Sequence, residues 1–142
     1  MARYRSLLLP AVLVSLLLGG CKMQTGSHQI DHSRSFTLQR TTQYFWSRNV
    51  ERWLTVSRMP DCQRKHRLDD DASKQFSEIR IRHIDDNTYQ IQDGKTLLLA
   101  NLEQCTLTPI DKAAEQQGTL LGKFAESQEK SIPFETSQND KP

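Results

Sequence analysis

Alternation of apolar and polar side chains sets the fold class of the centre of this chain. In Ser77-Glu-Ile-Arg-Ile-Arg-His-Ile, Ile79 and Ile81 alternate with Arg80 and Arg82; in Thr88-Tyr-Gln-Ile-Gln, Tyr89 and Ile91 alternate with polar residues. A strand turns successive side chains to opposite faces, so a period of two predicts strands with one buried face. Asp85-Asp86-Asn87 separates these two segments, and Asp93-Gly94 separates the second from Lys95-Thr-Leu-Leu-Leu-Ala. Asp, Asn and Gly accept the left-handed backbone that tight turns require. Asn101 then leads into Leu102-Glu-Gln-Cys-Thr-Leu, which completes a predicted meander from Phe76 to Leu107.

Upstream, Trp53-Leu-Thr-Val-Ser-Arg reads as another strand, closed by Met59-Pro60-Asp61, with Gln63 to Leu68 returning beside it. Trp46, Val50, Trp53 and Leu54 also match the i, i+4, i+7, i+8 spacing of an amphipathic helix, so a short helix ahead of the sheet is the competing reading. The expected fold class is mainly β: a small antiparallel meander sheet over residues 36–108, with or without that helix. A domain of this size buries only about 60% of its unfolded surface, so its core calls for an added constraint. Residues 21–35 are polar and read as a flexible tether. Residues 109–142, rich in Glu, Gln, Ser and Lys, read as a mobile tail, disordered or weakly helical, with 111–129 as the helical candidate despite Gly118 and Gly122.

The first twenty residues have the order of a secretory signal: Arg3 and Arg5, then the apolar run Leu7 to Leu18, then Gly19-Gly20. As a helix that run would span about 18 Å against a hydrocarbon core of about 30 Å, too short for a membrane span. Pro10 within it removes a backbone donor and disfavours a permanent helix. Leu-Leu-Gly-Gly-Cys, residues 17 to 21, resembles the lipobox of bacterial lipoproteins, a resemblance confined to the export segment and its cleavage site. It implies cleavage between Gly20 and Cys21, diacylglycerol on the Cys21 thiol, and attachment to a membrane through acyl chains, of which two or more hold stably. Within that family an aspartate after the cysteine retains the protein in the inner membrane, so Lys22 favours the outer one.

Lipidation of Cys21 would leave Cys62 and Cys105 as one pair in an oxidising compartment. A disulfide is the expected use, with a metal pair or two free thiols as the alternatives. Export would also remove Arg3 and Arg5, so the 19 basic residues of the chain drop to the same number as the 17 acidic ones. A neutral chain without a clustered basic excess does not predict a nucleic-acid partner.

Phe36, Tyr44, Phe45, Trp46 and Trp53 crowd into one short stretch, interleaved with Arg40, Arg48 and Arg52. Such residues suit a small core rimmed by arginines, which is the primary reading. The alternative is a stacking surface for a glycan or lipid headgroup, made of Tyr44, Trp46, Arg48, Arg52 and Trp53. His28 and His32 lack a third metal ligand nearby, and His66 and His83 are expected to face solvent. Asp69-Asp70-Asp71 lacks the Gly and Glu of a calcium loop and reads as a solvated turn; a small hydrolase would need it to converge with His66 or His83. No nucleophile elbow, phosphate loop or zinc-protease motif occurs, and no carboxylate sits in an apolar run that would raise its pKa. The sequence therefore points to a non-catalytic envelope protein without cofactor or metal, acting through contacts with an unidentified envelope protein.

Overall fold

The computed structural model describes residues 21–44, 46–111 and 115–137; the expected signal peptide, residues 1–20, lies outside them. The fold is mainly β, with every described element a strand: β1 (Lys22–Gln29), β2 (Arg34–Thr42), β3 (Asn49–Arg58), β4 (Cys62–Arg67), β5 (Asp71–Ala72), β6 (Ile79–Asp85), β7 (Thr88–Asp93), β8 (Thr96–Asn101), β9 (Thr106–Ile110), β10 (Thr119–Phe124) and β11 (Phe134–Thr136). One sheet runs β1-β2-β3-β4, with β5 taking the edge of β3 beyond the end of β4. The other runs β11-β10-β6-β7-β8-β9, and both ladders are antiparallel throughout.

The two sheets face each other across one apolar layer. From the first sheet come Phe36, Leu38, Leu54 and Val56, and from the second Ile79, Ile81, Tyr89, Ile91, Leu98, Ala100 and Phe124. Alternate residues of β2 and β3 point inward, so each strand delivers every second side chain to this layer. Phe36 meets Tyr89 edge-on at 5.4 Å between centroids, an aromatic contact that bridges the sheets.

The predicted meander is β6 to β9, and its turns fall where expected: Asp86-Asn87 between β6 and β7, and Gly94-Lys95 between β7 and β8. Gly94 has φ of 57°, the left-handed conformation that the Asp93-Gly94 pair predicts. The competing helix over 46–54 is absent: β3 starts at Asn49, Val50 and Leu54, four apart, share one face of a strand as well as of a helix, and Trp53 points the other way.

Two segments depart from the expected domain boundaries. Lys22–Gln29, expected to be tether, is a full strand in register with β2, from Lys22 opposite Thr42 to Gln29 opposite Ser35. Its inward residues are Gln24 and Gly26 rather than apolar ones. Gln24 donates to the carbonyls of Ser127 and Glu129 at 2.8 and 2.7 Å, and Gly26 admits the backbone of Ile132 so closely that a Cβ there would collide with it. The supposed tail likewise supplies β10 and β11. Phe124 and Ile132 are buried in the core, and Phe134 packs on Phe124 at 5.1 Å and stacks on His28 at 3.8 Å. Burial in that stack lowers the pKa of His28.

The two sheets are linked at both long edges. On one, Thr25 N–H donates to the Lys130 carbonyl and Ile132 N–H donates to the Thr25 carbonyl, each at 2.9 Å, forming a parallel bridge beside β11. On the other, Cys62 at the start of β4 is bonded to Cys105 just ahead of β9, as the thiol pairing predicts. His66, expected to face solvent, is half-buried there, with Nε2 2.9 Å from the Cys105 carbonyl. The disulfide spans 43 positions, and in the chain-entropy model a loop of that length stabilises the fold by about 4 kcal/mol. Replacing both cysteines by serine is expected to lower the unfolding free energy by about that amount in urea titrations; an unchanged midpoint would show that the seam does not depend on it.

Candidate functional site

Strand direction sorts the molecule into two ends. β1 begins, β2 finishes and β3 begins at one end; β3 finishes and β4 begins at the other, where the disulfide lies. Cys21 is exposed at the first end, one residue ahead of β1. The turn from β2 to β3 lies beside it, because Lys22 pairs with Thr42, the last residue of β2.

The five residues of the candidate ligand surface divide among three settings. Tyr44 and Trp46 lie in the β2–β3 turn, 50% and 58% exposed, with their rings stacked at 4.9 Å and 8°. Tyr44 N–H is held by Ser47 Oγ and Ser47 N–H by the Tyr44 carbonyl, at 3.1 and 3.0 Å. Arg48 borders a polar recess of about 310 Å³ next to this turn, with Asn49 and Glu51. Trp53 points outward from mid-β3, half-buried, with Lys65 and Arg67 over its ring at 5.0 and 5.2 Å. Arg52 points the opposite way and is only 2% exposed. The expectation that the aromatics form the core therefore holds for Phe36 and not for Tyr44, Trp46 or Trp53; Phe45 lies outside the described residues.

Arg52 belongs to a buried chain of charges that sequence reasoning missed. Its Nη1 and Nη2 donate to the two carboxylate oxygens of Asp93 at 2.7 and 3.0 Å, and its Nε donates to the Asp69 carbonyl at 2.7 Å. The same Nε lies 3.1 Å from Asp71, whose other oxygen accepts from Arg40 Nη2 at 3.1 Å. Arg40 continues the chain by donating from Nη1 to Gln24 Oε1 at 2.8 Å and from Nη2 to the Gln75 carbonyl at 2.7 Å. The chain thus runs from β1 through β2, β5 and β3 to β7 in the opposite sheet.

This corrects two expectations. Asp71 is buried rather than part of a solvated turn, since two arginines compensate it. Asp93 is a carboxylate with a raised pKa: burial pushes it up more than the paired Arg52 pulls it down. The signal was present in the sequence, because Arg40 continues the inward phase of Phe36 and Leu38, and Arg52 falls between Val50 and Leu54 on the inward phase of β3. An arginine on the apolar phase of a strand demands a buried carboxylate.

The remaining titratable candidates do not assemble. His66 and Asp69 border a recess of about 280 Å³, but His66 is held by the Cys105 carbonyl. His83, expected to face solvent, is half-buried on β6 with its ring tilted against Tyr89 at 5.1 Å. Among the described residues no three His, Cys, Asp or Glu side chains group around a metal position. No family model matches this sequence, and comparison with curated proteins and with solved structures yields no match either.

Removing one partner from a buried, hydrogen-bonded ion pair costs about 3–5 kcal/mol because the other charge is left uncompensated. Arg52→Met is expected to lose stability on that scale in urea unfolding, and Arg52→Met with Asp93→Leu to recover part of it; losses that simply add would show that the two are not coupled. The raised Asp93 pKa has a defined sign. The folded state takes up this proton more readily than the unfolded chain, so its contribution is full below the ordinary aspartate value of 3.8 and declines as pH rises through the folded value. The stability of wild type relative to Asp93→Asn should therefore fall with rising pH over that window.

Proposed function

We propose that this chain is a lipid-anchored envelope protein, cut before Cys21 and held on a membrane by acyl chains there, which acts without catalysis through contacts with another envelope protein. The observation that carries this reading is the position of Cys21, exposed at one extremity and immediately ahead of the first strand. Acyl chains on that sulfur need not cross any part of the folded body to reach a bilayer. The Leu17 to Cys21 motif supplies the chemistry, and Lys22 favours the outer membrane.

The non-catalytic part of the reading is supported by how the interior charges are used. Arg40, Arg52, Asp71 and Asp93 engage one another, so these buried groups are committed to holding strands together. The alternative, a glycan- or headgroup-binding module built on residues 44–53, loses its shared platform once Arg52 is buried and Trp53 lies under Lys65 and Arg67.

Labelled palmitate is expected on the wild-type protein and absent from Cys21→Ser. Crosslinking in intact envelopes, with the anchor preserved, should recover one specific protein. Absence of label from wild type would remove the anchor, and recovery of the chain alone would count against the contact role.

A further inference from the structure

The strand that replaces the expected tether leaves no spacer between Cys21 and the folded body, because β1 begins at Lys22. A lipid on Cys21 would therefore bring this end of the sandwich to the bilayer surface. Cys21 is one residue from Lys22, Lys22 pairs with Thr42, and Tyr44 follows two residues later. Chain and strand spacings then place the Tyr44 Cα at most about 17 Å from that of Cys21.

What lies at this end suits a membrane interface. Of the exposed large apolar side chains among the described residues, Met23, Tyr44 and Trp46 are all here, and Met59 alone is at the disulfide end. Tyr and Trp combine an apolar ring with a polar atom and concentrate at the headgroup level of membranes. Lys22 and Lys74 line a polar recess of about 330 Å³ at the same end, with Glu126 as its acidic group, a setting suited to anionic lipid phosphates. The acidic residues nearest the turn are partly offset: Asp70 and Glu51 lie 2.8 and 3.8 Å from Arg67.

We propose that this end is a bilayer-docking surface, in which the stacked Tyr44 and Trp46 rings and Met23 enter the interfacial layer beside acylated Cys21. The docked body has a fixed orientation, with the Cys62–Cys105 seam and Met59 facing away from the lipid. The inference rests on the lipid anchor and adds a second contact to it. One anchor point alone lets a body tumble, whereas three, at Cys21, Met23 and the ring pair, define a face.

The test uses the mature acylated protein purified from membranes and reconstituted into phosphatidylethanolamine–phosphatidylglycerol vesicles. Trp53→Phe leaves Trp46 as the single tryptophan. Relative to soluble Cys21→Ser, Trp46 emission should shift to the blue, its quenching by iodide should fall several-fold, and lipid brominated near the headgroup should quench it. A Tyr44→Ala, Met23→Ser variant should regain part of the iodide quenching while still carrying label from palmitate. Labelled protein whose Trp46 is as open to iodide on vesicles as in solution would overturn the docking surface and leave the anchor standing. Shielding from iodide without quenching by brominated lipid would also overturn it, since a protein or a second copy then covers the turn. Absence of palmitate label would remove both.

Discussion

The buried sequence of partners Gln24, Arg40, Asp71, Arg52 and Asp93 is the constraint on which the arrangement of strands depends. Each member comes from a different strand, and the first and last lie on opposite sheets. Apolar packing is tolerant of small displacements, because any close contact of similar volume serves nearly as well. A bidentate guanidinium–carboxylate pair is not, since both hydrogen bonds require one geometry. The chain of charges therefore fixes how the sheets align. Its two arginines and two aspartates also balance, so no net charge is buried.

The most consequential strand held this way is β1. It contributes little apolar surface, since its inward positions are Gln24 and Gly26, and it stays in place through backbone pairing with β2, the Gln24 hydrogen bonds and the bridge at Thr25. At the hairpin that joins β1 to β2, the Asp31 carboxylate accepts from the Ser33 and Arg34 N–H groups at 2.9 Å and pairs with the Arg34 side chain at 2.7 Å. These hydrogen bonds hold its pKa far below the carboxylate range. Order in β1 is what joins Cys21 rigidly to the sandwich, and the proposed orientation on a membrane follows from that rigidity.

Legibility in the sequence followed the kind of interaction. Ile79, Ile81, Tyr89 and Ile91 announce their strands because hydrophobic alternation carries the information, and Asp93-Gly94 announces its turn because few residues accept positive φ. Cys62 and Cys105 were legible as a pair on the expectation that Cys21 carries lipid. β1 was hidden because its inward Gln24 is satisfied by hydrogen bonds to residues more than a hundred positions away. β10 and β11 were hidden because the apolar residues that anchor them, Leu121, Phe124, Ile132 and Phe134, are scattered through a C-terminal stretch that is mostly polar. The site divides along the same line: the exposure of Tyr44 and Trp46 beside Cys21 depends on the register of β1 against β2, which no local pattern specifies.

Residues 22–29 are a strand of the folded body and not a spacer. Amide hydrogen exchange of the whole protein reads this residue by residue. The β1 amides bonded to β2 should exchange with protection comparable to those of β2 and β3, and protection should begin within a few residues of Cys21. Exchange of residues 22–29 at the rate of an unstructured peptide, with β2 and β3 still protected, would contradict it.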